Sequence, residues 1–231
     1  MSIQTNPITI NAPDHPGQPI DRRTPTSQRV AALAGAASVL AGVTGVTIAE
    51  TNTAGVEPRS ASPFLIETLT ERTSDLQGGA VLAAVAAVLA MVFLGPLWIR
   101  FKQSGEWQAM IAVAGGLTLA LFWLSAAAQQ VAFLTFAHYS NGEAARLLII
   151  TSWDTWRYMA FPFLIMALAA ALAALPVWFR VVSLLVVAVE ALALAPGTDA
   201  WAPVMLGCGW TIATSVLVAL SADRGSQPVD E

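Results

Sequence analysis

Apolar residues arrive along this chain in long blocks, and polar ones gather between them. Predominantly apolar stretches cover residues 30–49, 78–99, 108–137, 145–175, 177–195 and 201–220. Each reaches about the 18 residues that a helix, rising about 1.5 Å per residue, needs to cross a ~30 Å hydrocarbon core. The breaks carry turn chemistry: Asn141-Gly142, Pro176, and Pro196-Gly197-Thr198-Asp199. The pattern predicts an all-α integral membrane bundle of six transmembrane helices. The third and fourth blocks approach about 30 residues, or about 45 Å of helix. That hairpin is expected to tilt strongly or to project beyond the bilayer.

The polar segments divide the rest. Residues 1–29 hold Pro7, Pro13, Pro16, Pro19 and Pro25 among polar neighbours. Such a stretch buries too little apolar surface to offset its ordering entropy, so it reads as a flexible cytoplasmic tail. Residues 221–231 read as a second one. The first apolar block could also be the core of a cleaved signal peptide. At about 20 residues it exceeds the 7–15 or so of such a core, which favours a retained helix. Loop 50–77 contains Ser62-Pro63, an N-cap and first helical residue, with Phe64, Leu65, Leu69 and Leu76 roughly on one face. It is read as a connector on the membrane surface or as a lid over the bundle mouth.

Composition agrees with a membrane solvent. Of the 231 residues, 56% are hydrophobic and 11% charged, against about 25% charged in a soluble domain. Mean hydropathy is +0.64. A net charge of −4 excludes a nucleic-acid binder, which needs basic surface to neutralise phosphates. Basic residues also set the orientation. With a cytoplasmic N-terminus, the inner segments hold Arg22, Arg23, Arg29, Arg100, Lys102, Arg180 and Arg224, and the outer ones Arg59, Arg72, Arg146 and Arg157. Trp98, Trp107 and Trp178 would mark the inner rim, and Trp153, Trp156 and Trp201 the outer. Both termini are then cytoplasmic.

Two features carry candidate chemistry. In the first helix, Ala31, Gly35, Ser38, Gly42, Gly45 and Ala49 alternate at spacings of four and three, so they share one narrow stripe. A stripe without bulk admits another backbone, within the chain or from a second copy. The other feature is Glu190, the one charge between residues 181 and 195. An ionised carboxylate in hydrocarbon costs several kcal/mol unless it is paired or protonated. Helix counting puts it about 20 Å above the inner rim and Arg157 about 7 Å higher on the preceding helix. A polar cluster of Glu190, Arg157, Asp154, Gln129, Gln130 and His138 is therefore expected in the outer half. It reads either as a ligand, proton or ion site opening outward, or as an ion-pair network that docks helices.

Other chemistry finds no support. Cys208, the single cysteine, cannot form an intrachain disulfide and reads as a small buried hydrophobe. His138 has no second histidine at ligand spacing, so no metal is expected. No phosphate-binding glycine loop, HExxH, CxxC or GxSxG occurs. No cofactor is implied.

The run from Trp156-Arg157-Tyr158 through Phe161-Pro162-Phe163 to Leu175-Pro176-Val177-Trp178-Phe179-Arg180 resembles the later half of small actinobacterial polytopic membrane proteins that carry a domain of unknown function. The resemblance covers residues 78–220. It implies a bundle of five or six helices in a bacterial cytoplasmic membrane and transfers no functional residue. The leading functional expectation is a non-enzymatic accessory subunit that binds another membrane protein, or a second copy of itself, through the acidic outer loop and the small-residue stripe. A small transporter or channel using Glu190 is the alternative, and a lipid-modifying intramembrane enzyme a third.

Overall fold

Backbone groups in hydrocarbon have no water to bond, so a spanning segment must satisfy them internally, and an alanine- and leucine-rich chain does so as α-helix. The computed structural model describes residues 25–53, 62–139, 143–148, 157–195 and 200–221. It contains α1 (Pro25–Thr53), α2 (Ser62–Glu71), α3 (Thr73–Lys102), α4 (Glu106–His138), α5 (Ala160–Leu172), α6 (Val177–Ala193) and α7 (Trp201–Ser221). Residues 143–148 add a short helical piece, and no strand occurs among the described residues. Four helices are long and apolar enough to cross a membrane, over Thr26–Ala49, Thr73–Lys102, Glu106–Phe136 and Trp201–Leu220.

Apart from the short α2, the helices form a ring in chain order. α1 packs on α3, α3 on α4, α4 on α5, α5 on α6, α6 on α7, and α7 closes back onto α1. Neighbours run antiparallel, as the short connections require: Gly35 meets Phe93 while Gly45 meets Gly79, so α1 ascends where α3 descends. Hydrophobicity does not separate inside from outside here, because lipid is as apolar as the core. Size does. On α3 the buried face is Gly79, Ala80, Ala83, Ala86, Ala87 and Ala90, while Val81, Val85, Val88, Met91 and Val92 are exposed. Small residues bring backbones together; bulky ones face outward.

The small-residue stripe of α1 lies inside this ring. Gly35, Ser38, Gly42, Gly45 and Ala49 are buried, with Ala31 half-buried. A Cβ on Gly42 would collide with the Trp123 indole of α4, and one on Gly45 would stand 2.7 Å from the Gly79 carbonyl oxygen. Ser38 Oγ donates to the Ala86 carbonyl at 2.7 Å, tying α1 to α3 where neither can reach water. Replacing Ser38 by Ala should cost about 0.6–1 kcal/mol, the range for interhelical hydrogen bonds in membranes. Thr44→Ala is the control, because the Thr44 hydroxyl bonds its own helix at Leu40. Unfolding in mixed micelles reads the difference. Equal stability of the two variants would show that the tie contributes nothing.

The connections also differ from the sequence pattern in informative ways. α3 starts at Thr73, inside the predicted outer loop, because Leu76 extends its apolar face. Leu69 of α2 and Leu76 are both fully buried, against Ala49, Phe133 and Ala145. This part of the loop therefore packs on the bundle. At the other end, Gly105 takes φ +149 in the tight turn from α3 to α4, a region that disfavours side chains. The backbone N–H of Ala174 donates to Ser104 Oγ at 2.9 Å. α5 ends at Leu172, where Ala173 turns extended, rather than running on to Leu175. Arg180 Nε donates to the Ala171 carbonyl at 3.0 Å and so satisfies a carbonyl left open by that early stop. Residues 149–156, in the first third of the predicted fourth span, lie outside the described residues.

Candidate functional site

α6 turns one stripe inward: Phe179, Ser183, Val186, Glu190 and Ala193. The spacings of four and three keep all five on one face. Its other faces carry Val177, Val181, Val182, Leu184, Leu185 and Leu192, all exposed. A neutral environment on both sides leaves Glu190 as the one charged residue of the interior stripe. Its exposed surface is 0%.

The carboxyl group is housed by a notch. On α7, Gly207 presents bare backbone: a Cβ there would collide with Glu190 Oε1 and with the Phe163 ring of α5. Phe163 is itself fully buried and Cys208 is 5% exposed. Two neighbouring helices thus close over the acid of α6, α5 with the Phe163 ring and α7 with Gly207 and Cys208. Among the described residues no side chain donates a hydrogen bond to either Glu190 oxygen, and the polar group that approaches the carboxyl is the Gly207 backbone. The nearby polar groups are committed elsewhere. Thr211 Oγ1 donates to the Gly207 carbonyl at 2.9 Å, and Ser183 Oγ donates to the Phe179 carbonyl at 2.8 Å while accepting from Trp210 Nε1 at 3.1 Å. Thr214 and Ser215 return their hydroxyls to Trp210 and Thr211 of their own helix. The hydroxyls of Ser183, Thr211 and Thr214 are therefore satisfied within their own helices, Ser215 lies against Gly35 of α1, and among the described residues no hydroxyl is left for the acid.

The other members of the expected cluster lie elsewhere or are not joined to it. Gln130 is buried in the α1–α3–α4 seam, where Nε2 donates to the Gly45 carbonyl at 3.3 Å and the amide oxygen abuts Gly79. Gln129 beside it is half-buried. Arg157 is half-buried where the chain enters α5, and neither it nor either glutamine donates to Glu190. His138 is exposed and meets Tyr139 edge-on, ring centroids 5.2 Å apart. Asp154 lies outside the described residues. Two helix seams replace one cluster. Among the described residues, no group of three His, Cys, Asp or Glu could hold a metal.

The sequence reading passed over Gly207 and Phe163, which build the notch, and Ser183, which shares the acid's face. Ser183 stands seven residues before Glu190, a helical repeat that puts the two on one stripe. Gly207 had no such signal, because which glycine faces which side chain depends on how α7 is rotated.

Taken together, the described residues define an all-helical ring with four helices long and apolar enough to cross a membrane and a sealed acid of α6 packed against α5 and α7. No family model, curated protein or solved structure matches the chain.

Proposed function

We propose that this chain is a six-span protein of the bacterial cytoplasmic membrane, with both termini in the cytoplasm, that moves a proton or small cation by way of Glu190. α5 and α6 supply the fifth and sixth spans in this reading. At 17 residues α6 covers about 26 Å, which a modest thinning of the bilayer or snorkelling at its ends accommodates. The closed antiparallel ring supports an even number of crossings. The excess of Arg and Lys on the segments at one end supports the cytoplasmic assignment of that end.

The observation that carries the function is a fully buried acid to which, among the described residues, no side chain donates a hydrogen bond. A carboxylate that serves only to dock helices would be paired or fully hydrogen-bonded. Intramembrane acids without such a role mark proton and ion pathways. The partner-binding reading draws on the acidic outer loop, part of which lies outside the described residues, and on the α1 stripe, which is spent within the chain on α3, α4 and α7.

Purified protein in liposomes loaded with a pH-sensitive dye tests the proposal. Under an imposed potassium diffusion potential, the wild type is expected to acidify the lumen, and Glu190→Gln to do so at least about tenfold more slowly, a barrier change of about 1.4 kcal/mol or more. Both proteins should elute alike on gel filtration. Equal proton and cation flux in the two would remove Glu190 from the function. A silent wild type that co-purifies with a stoichiometric second membrane protein would return the chain to the accessory-subunit class.

A further inference from the structure

At the end of the ring opposite the Glu190 notch lies a cavity of about 160 Å³, between the C-terminal turn of α3, the α5–α6 connection and α7. Phe101, Leu175, Phe179 and Leu217 supply its apolar wall, and Arg100 and Thr214 are its polar groups. The Thr214 hydroxyl proton is taken by the Trp210 carbonyl at 2.9 Å. That leaves Arg100 as the one donor facing an otherwise apolar space.

Arg100 is half-buried. Among the described residues its one hydrogen bond runs from Nη1 to Gln103 Oε1 at 2.7 Å, and no carboxylate pairs with it. A guanidinium offers five N–H donors in a fixed fork suited to a carboxylate or phosphate. Most of that fork is unspent. The surroundings set the level in the membrane: Trp98, Trp107 and Trp178 are exposed at this end, and Lys102 lies 5.7 Å over the Trp98 ring. Exposed tryptophans with basic neighbours mark a headgroup region, where anionic amphiphiles concentrate.

We propose that this cavity binds an amphiphilic anion, its single carboxylate or phosphate held by Arg100 and an apolar body of roughly six to eight carbons lodged against Phe179 and Leu217. The size follows from volume, since apolar protein cavities of about 150 Å³ take up benzene. The selectivity follows from charge. An alcohol of equal length gains the apolar contacts but leaves the guanidinium unmatched, and an ammonium head is repelled. The site is independent of Glu190 and stands whether or not that residue moves protons.

The test is equilibrium dialysis of labelled octanoate, octanol and octylammonium against the full chain in phosphatidylcholine nanodiscs, with empty nanodiscs subtracted for partitioning. Octanoate is expected to bind saturably at one site, at least about tenfold tighter than octanol, with octylammonium weakest. Arg100→Gln should erase the preference for the anion while leaving octanol binding unchanged, and Arg100→Lys should restore part of it. Leu217→Trp, which fills the space, should abolish binding of all three, with gel filtration confirming the fold. Octanoate binding no tighter than octanol, or undiminished by Arg100→Gln, would overturn the assignment. Adding phosphatidylglycerol to the nanodiscs separates the sources: competition with octanoate identifies a lipid as the occupant, and no competition identifies a free short-chain acid.

Discussion

Gly42→Leu should destabilise the bundle by about 2–3 kcal/mol, the usual penalty for forcing bulk into a packed interior. Trp123 has no exposed surface, and its indole already lies where a Cβ at position 42 would go. Neither side can yield easily. Trp123 is held within the main core, and retreat of α1 would part Gly45 from Gly79 and break the Ser38–Ala86 hydrogen bond. Gly78→Leu and Gly209→Leu are the matched controls, since a Cβ at either position meets nothing within 4 Å. These should unfold with the wild type or slightly later, because Gly weakens a helix by about 1 kcal/mol relative to better helix formers. Unfolding midpoints in mixed micelles read all three variants. Equal loss at positions 42, 78 and 209 would mean that α1 is not seated on Trp123.

Glu190→Met should act in two directions, raising stability by about 1–3 kcal/mol and abolishing flux. The gain arises because methionine fills a similar volume against Phe163 and Gly207 while removing a buried polar group to which, among the described residues, no side chain hydrogen-bonds. Glu190→Ala is expected to lose stability instead, since it opens a void beside Phe163 and Gly207 that the packed helices close only in part. Thermal unfolding of the two variants beside the wild type, with the liposome flux measurement, separates the possibilities. A destabilised Glu190→Met protein would show that the carboxyl makes contacts that hold α6 in place. A stabilised, inactive one is the signature of an acid retained for function at the expense of stability.

The sequence carried much of the frame. Block boundaries at 108–137, 177–195 and 201–220 lie within a few residues of α4, α6 and α7, because hydropathy and turn residues are local quantities that accumulate along a chain. Ser62-Pro63 marked the start of α2 for the same reason. Boundaries slipped where a tertiary contact overrode local signals: α3 begins early because Leu76 has Leu69 and Phe133 to pack against. The polar cluster was read from heights along helices. Height alone says nothing of azimuth, so Gln130 and Glu190, at comparable depths, occupy different seams.

From its residues alone this chain is committed to helices in an apolar solvent, to small-residue faces that draw helices close, and to one acid within the sixth apolar block's neighbour. Each follows from free energies that are sums over short stretches. Which backbone receives the small face of α1, that the Glu190 carboxyl meets Gly207 and not Arg157, and that Arg100 overlooks a cavity were decided by the tertiary structure. These depend on the rotation of each helix about its axis, set by side chains meeting from several distant segments at once.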